Sequence, residues 1–170
     1  KKTATPLVFA DGNTNAQIMV IGEAPGADED RQGIPFVGAS GQLLDKIFAC
    51  IGFDRKAEDA QKAIYISNIL NWRPPGNRTP TVEEMDIAAP FIKRHIELIN
   101  PQFLVLCGAV AAQTLLNKTD SISRLRGTIH QYSDDIQAIA TYHPSYLLRT
   151  PLQKKKVWDD MLALQELINA

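Results

Sequence analysis

Four short runs of apolar residues punctuate the chain, at 18–21, 64–66, 103–106 and 136–142. The first three are continuous rather than alternating, the pattern of strands buried on both faces of a parallel sheet. Between the runs, apolar residues recur at helical spacing. Leu43, Leu44, Ile47, Phe48 and Ile51 form one stripe, closed by Gly52. Thr81, with Glu84 three residues on, has the form of a capping box and opens a helix carrying Met85, Ala88, Ile92, Ile96 and Ile99. Pro90 lies inside that pattern and is expected to kink or interrupt it. Residues 110–116 predict a short third helix, and Val157, Met161, Leu164 and Ile168, with Trp158 and Leu162 beside them, an amphipathic closing helix. The polar stretch 118–135 predicts a small hairpin or irregular loop. Strands alternating with helices imply an α/β fold, a central parallel sheet covered on both sides. With no internal repeat and no linker composition, all 170 residues are expected to form one domain, 1–170.

Composition narrows the functional class. At 45% hydrophobic and 22% charged residues with a net charge of −1, the chain reads as an ordinary globule. That balance excludes a polycation that coats nucleic acid, yet permits a local basic patch. No apolar run approaches the ~18 residues that a membrane span needs, and the N-terminus lacks a signal-peptide pattern, so no membrane partner is expected. The first residue is Lys1 rather than Met, as expected if upstream residues were trimmed. Two cysteines, Cys50 and Cys107, are too few for a disulfide framework. Both read as small buried hydrophobes in a reducing, cytoplasmic compartment.

Ligands of open α/β sheets bind beyond the carboxyl ends of the strands. Here each strand runs into an unusual segment at that end. The first leads to Gly22-Glu23-Ala24-Pro25-Gly26, the acids Asp28-Glu29-Asp30, and Gly33-Ile34-Pro35-Phe36-Val37-Gly38. The second ends at Ser67-Asn68, with Trp72-Arg73-Pro74-Pro75-Gly76-Asn77-Arg78 beyond. The third ends in Gly108-Ala109, and the fourth in His143-Pro144-Ser145-Tyr146-Leu147-Leu148-Arg149. Taken singly, these read as a turn, a solvated acidic face, a strand-terminal cap and a structural histidine.

Brought together at one edge, they make sense as base recognition. Asn68 offers an amide donor and acceptor to a base edge, and Phe36 an aromatic face for stacking. His143 can place an N–H on a carbonyl oxygen that gains negative charge as a glycosidic bond breaks. Glu23 or a neighbouring acid can orient water and stabilise positive charge on the sugar. Leu147 and Leu148 suit a wedge that fills the gap left by a flipped base. Arg149 and Lys154 to Lys156 form a cation cluster for phosphates, which Arg73 and Arg78 extend; for the three lysines, the solvated start of the last helix is an equal reading.

The stretches GEAPGADEDRQGIPFVGASGQLLD from Gly22, ISNILNWRPPGNRTPT from Ile66 and HPSYLLR from His143 resemble the uracil-DNA glycosylase superfamily, most closely its family 4. The resemblance covers most of the chain in the right order. It implies a three-layer α/β/α sandwich with a central four-stranded parallel sheet, and a hydrolase of base-excision repair. Such an enzyme flips uracil out of DNA and cleaves its N-glycosidic bond, leaving an abasic site. It further implies that Phe36 stacks on the base, Asn68 reads its polar edge and His143 donates to its carbonyl oxygen, with Gly22, Ala24 and Ser145 also at the base. The best-known branch of the superfamily has an Asp and a Tyr where this chain has Ala24 and Gly26. Glu23 is therefore the candidate for positioning water and Glu29 for guarding against a thymine methyl, with Leu147 favoured as the wedge. The implied partner is uracil-containing DNA, bound by a monomer in a bacterial-type cytoplasm, at the nucleoid.

One departure stands out. Family 4 members usually bind a four-iron, four-sulfur cluster through four cysteines. Two of those positions correspond to Trp72 and Ala88, and the other two fall upstream of, or at, the start of this chain. The expectation is a protein with no cofactor and no metal, in which Trp72 and nearby apolar side chains pack where the cluster would sit. The alternative to an enzyme is a non-catalytic DNA-binding or polymerase-associated module with a retained base pocket. Covalent trapping of uracil DNA is disfavoured, because the segment after Trp72 lacks a histidine.

Overall fold

The computed structural model describes residues 6–170. A six-stranded mixed sheet runs through it in the order β1-β3-β2-β4-β6-β5. The strands are β1 (Asp11–Gly12), β2 (Ile18–Gly22), β3 (Ile64–Asn68), β4 (Phe103–Cys107), β5 (Ile129–Gln131) and β6 (Gln137–Thr141). The four apolar runs supply β3, β2, β4 and β6, which pair in parallel. β1 and β5 add antiparallel edges, so the expectation of a four-stranded parallel sheet is corrected to a mixed sheet of six. Both edge strands are short, and β5 is largely exposed, so neither has an apolar signature to announce it.

Side chains alternate across the central strands and divide the interior in two. Ile18 and Val20 of β2 join a cluster built on α2 (Ala39–Ala49), α6 (Pro144–Arg149) and α7 (Lys154–Asn169). Met19 and Ile21 face the other way, onto α3 (Val82–Ile99) and α4 (Ala109–Leu116). Fully buried Leu44, Phe48, Ile96 and Leu164 each contribute about 1.5–3 kcal/mol relative to exposure. Thr81 and Glu84 form the reciprocal capping box at the start of α3. The helix is not interrupted at Pro90, which lies inside its span. The polar stretch 118–135 holds the short helix α5 (Ile122–Leu125) and then β5, which pairs with β6. Cys107 is buried in β4, whereas Cys50 is exposed at the C-terminal cap of α2, correcting its reading as a buried hydrophobe. No helix among the described residues is long and apolar enough to cross a membrane.

The register fixes where chemistry can occur. Gly22 lies opposite Asn68, Ile21 opposite Leu106, and Cys107 opposite Thr141, so the carboxyl ends of the four parallel strands are level. The chain moves from β2 to β3 on one side, then crosses to β4 on the other. A crevice therefore opens between the ends of β2 and β4, where such sheets bind ligands.

Candidate active site

The crevice is a cleft of about 720 Å³ lined from all four strand ends. Glu23, Ala24, Glu29, Phe36, Asn68, Arg78, His143, Ser145 and Arg149 all reach it. Gly22 lies just behind the wall: a Cβ there would come within 2.5 Å of Phe36 Cζ and 2.6 Å of Asn68 Oδ1. The missing side chain lets the aromatic ring and the amide close over the end of β2.

The loop after β2 is organised by α1 (Ala27–Gln32). Of its three acids only Glu29 is buried, and its Oε1 accepts hydrogen bonds from the amides of Val37 and Gly38, both at 3.2 Å. Phe36 adopts the left-handed conformation at φ 53°, which for a non-glycine residue costs about 1–3 kcal/mol and persists only where the surroundings impose it. Its ring is buried and stacks on His143, with centroids 5.4 Å apart. The backbone of α2 comes so close that a Cβ on Gly41 would lie 2.0 Å from the Phe36 carbonyl. Glycine is therefore required at the first turn of that helix.

Asn68 ends β3, is 2% exposed, and its Oδ1 has no hydrogen-bond partner. A buried acceptor left in that state costs about 1–3 kcal/mol unless a ligand donates to it. Glu23 is partly buried, and loss of solvation raises its carboxyl above the ordinary range.

His143 caps the N-terminus of α6, and its Nδ1 accepts from the Ser145 amide at 3.1 Å and sits 2.8 Å from Ser145 Oγ. A backbone N–H can only donate, so Nδ1 carries no proton and the neutral ring keeps its proton on Nε2. Burial pushes this imidazole down to about 4; Glu29 opposes that shift and Arg149 adds to it. Gly108, at φ 93°, closes the far side, where a Cβ would stand 3.2 Å from the His143 Cβ.

The expected DNA contacts are only partly gathered. Arg149 reaches the cleft from the last turn of α6, and Arg78 lines it while paired with Glu84. Arg73 does not line the cleft and hydrogen-bonds Asn77 at 2.7 Å. Leu147 is corrected as the wedge: it is fully buried in the core beneath α6 and cannot reach a duplex. Its neighbour Leu148, a further 100° round the helix, is 48% exposed, and Leu152 just beyond is 90% exposed.

Several lining residues escaped the sequence reading. Ser40 comes from the first turn of α2, Ser123 from α5, and Tyr142 immediately precedes His143. Ser40 stands in the glycine-rich stretch 38–41 and Tyr142 closes the fourth apolar run, whereas Ser123 lies in a polar stretch with no signature of its own.

The residues present do not fit a four-thiolate cluster. Cys107 is enclosed in the sheet, where burial pushes its thiol up to about 12 and keeps it protonated. Cys50 lies at the far end of α2. Among the described residues, no group of three or more His, Cys, Asp or Glu could hold a metal ion. Trp72 is partly exposed and Ala88 packs against the α3–α4 side of the core. The upstream cysteine positions fall outside the described residues.

Comparison with known proteins agrees with this geometry. The family model of the Uracil DNA glycosylase superfamily matches residues 9–162. The chain is 40% identical to a Type-4 uracil-DNA glycosylase of Archaeoglobus fulgidus, across 98% of this chain and 84% of that protein. It is 41% identical to that of Thermotoga maritima, across 85% and 73%. A third, from Saccharolobus solfataricus, is 34% identical across the full chain and 78% of that protein. By its motifs, the placement of their residues around one cleft and these likenesses, the chain belongs to the uracil-DNA glycosylase superfamily.

Proposed function

We infer that the protein is a uracil-DNA glycosylase, a hydrolase of base-excision repair that cleaves the N-glycosidic bond of uracil in DNA. The observation that carries this reading is the orphaned Oδ1 of Asn68, buried beside the Phe36 ring. An amide pairs its acceptor with the N3–H of uracil and its N–H with the adjacent O4. Phe36 stacks on the extruded ring, and the base therefore enters with its polar edge toward β3.

The rest of the chemistry is arranged around that pose. As the glycosidic bond stretches, charge moves onto the uracil O2, and the Nε2–H of neutral His143 donates to it. Glu23, ionised above its raised pKa, orients the attacking water and offsets positive charge on the sugar. Glu29 stands beside Gly26, where a Cβ would lie 3.1 Å from its Oε2, and guards the C5 side of the base against a methyl. Ala24 and Gly22 keep the floor of the pocket low, and Ser145 holds the His143 tautomer. Leu148 supplies the wedge, while Arg149, Arg73 and Arg78 grip phosphates around the extruded nucleotide. The protein works as a single-domain cytoplasmic monomer at nucleoid DNA and without a cluster; about stoichiometric iron with absorbance near 400 nm in fresh protein would overturn that last clause.

Incubation with single- and double-stranded oligonucleotides containing uracil, followed by alkaline cleavage at abasic sites, tests the activity. Strand scission at uracil alone is the expected result. None at enzyme excess would leave the non-catalytic DNA-binding or polymerase-associated module. Asn68→Ala is expected to slow single-turnover excision about 10- to 100-fold, from the loss of a buried hydrogen bond, with the fold intact by circular dichroism.

A further inference from the structure

Arg55 lies outside every motif, in the connection between α2 and β3, yet it is 7% exposed and each nitrogen of its guanidinium donates a hydrogen bond. Nη1 donates to the Pro35 carbonyl at 2.8 Å and Nη2 to the Phe36 carbonyl at 2.6 Å. Two carboxylates brace the cation from behind: Nε donates to Asp45 at 2.9 Å and Nη1 to Asp11 at 3.3 Å. On the other side of the same bend, the Glu29 carboxylate takes the amides of Val37 and Gly38. Two consecutive carbonyls are thus held by a buried cation, and the next two amides by a buried anion. Between them lies Phe36, with its left-handed backbone.

We propose that Arg55 is a positioning residue for base recognition: braced by Asp11 and Asp45, it fixes the Phe36 backbone so that the ring stays set to stack on uracil. The proposal rests on the glycosylase reading. Both carbonyls turn toward one point inside the protein, and only a planar group with several divergent donors can satisfy them and both acids at once. A lysine ammonium preserves the charge but not the fork. Without the fork the bend can relax and carry the ring with it, and a displacement of about 1 Å in a reacting complex can cost 100-fold.

The test compares wild type, Arg55→Lys and the double variant Asp11→Asn/Asp45→Asn, which weakens the brace and leaves the guanidinium in place. Single-turnover excision, affinity for product DNA containing an abasic site, and hydrogen exchange of residues 34–38 are measured well below the melting temperature. Arg55→Lys is expected to fold and to excise about 10- to 100-fold more slowly, with product affinity within about threefold of wild type. Exchange should rise in 34–38 and not across the sheet. If Arg55→Lys does not fold, the double variant is held to the same pattern at about 3- to 10-fold.

An excision rate within twofold of wild type, or a loss of protection spread evenly over the protein, would overturn the proposal. Should the wild type itself fail to cleave uracil DNA, the glycosylase reading falls. The local exchange then decides alone whether Arg55 holds the bend.

Discussion

Replacing His143 with alanine is expected to slow uracil excision at saturating DNA by about 100- to 1,000-fold, the loss typical when one donor to a developing oxyanion is removed. Nδ1 is occupied by the Ser145 amide, so the group lost is specifically the Nε2–H aimed at the leaving base. Affinity for DNA should change little, because this donor matters most when the oxygen becomes charged. The pH profile carries a second expectation. The imidazole is pushed down to about 4 in the folded protein, against an ordinary value of 6.5, so the neutral donor persists throughout pH 5–8. Its ionisation should leave no inflection near 6.5 in the single-turnover rate. The linkage to stability has the opposite sign to that of a salt-bridged histidine. Between 6.5 and about 4 the unfolded chain binds a proton that the folded one refuses, so this group's share of stability is whole above 6.5 and is lost as the pH falls toward 4. Single-turnover rates of wild type and His143→Ala from pH 5 to 8 check the rate loss and the missing inflection, and melting curves of the two proteins from pH 7 to 4 check the linkage. Equal rates would remove His143 from the mechanism.

The parts of the molecule legible in the sequence are those with a local signature. Each of β2, β3 and β4 is buried along its whole length, and a continuous apolar run cannot be placed otherwise without exposing it. Because those strands are level, the segments that follow them had to meet, and nine candidate residues line one cleft. What failed was decided by rotation or by long-range contact. A pair such as Leu147-Leu148 on a six-residue helix does not reveal which member turns inward; the core under α6 took Leu147. Pro90 suggested a break, but it and Asp86, whose carbonyl loses its helical donor, are both exposed, where solvent can take the place of the lost bond. The resemblance singled out Glu29 among the three acids at 28–30, but that it turns inward to hold the Phe36 bend rests on amides eight and nine residues on and shows only in the fold. Arg55 was invisible because its partners lie 10, 20 and 44 residues away, with nothing periodic to connect them.

Arg126→Ala is expected to cost about 3–5 kcal/mol of folding stability, the usual loss when one partner of a buried ion pair is removed. Asp160 is fully buried on α7, and its carboxylate takes Arg126 Nη2 at 2.6 Å, Nε at 3.2 Å and the Thr141 hydroxyl at 2.7 Å. These bonds fasten the last helix to the end of β6, two residues before His143. Arg126 also donates to the Lys156 carbonyl at 3.0 Å and lies 5.9 Å over the Tyr142 ring. Desolvation already holds the Asp160 carboxyl above its ordinary value, against the opposing pull of Thr141 and Arg126. Without the guanidinium that rise must grow, leaving a buried charge with a single hydroxyl for company. At about 2–4 °C per kcal/mol for a chain of this size, the melting temperature should fall by roughly 6–20 °C at neutral pH. Because the penalty belongs to the ionised carboxyl, the deficit should shrink as the pH falls through its raised pKa, where protonation relieves it. Arg126→Leu with Asp160→Leu should melt closer to wild type than Arg126→Ala does, since replacing both charges leaves none stranded. Melting curves of the three proteins at pH 7 and pH 5 separate these terms: a single-variant deficit that neither narrows in acid nor is relieved in the double variant would show that the pair's charges do not anchor α7.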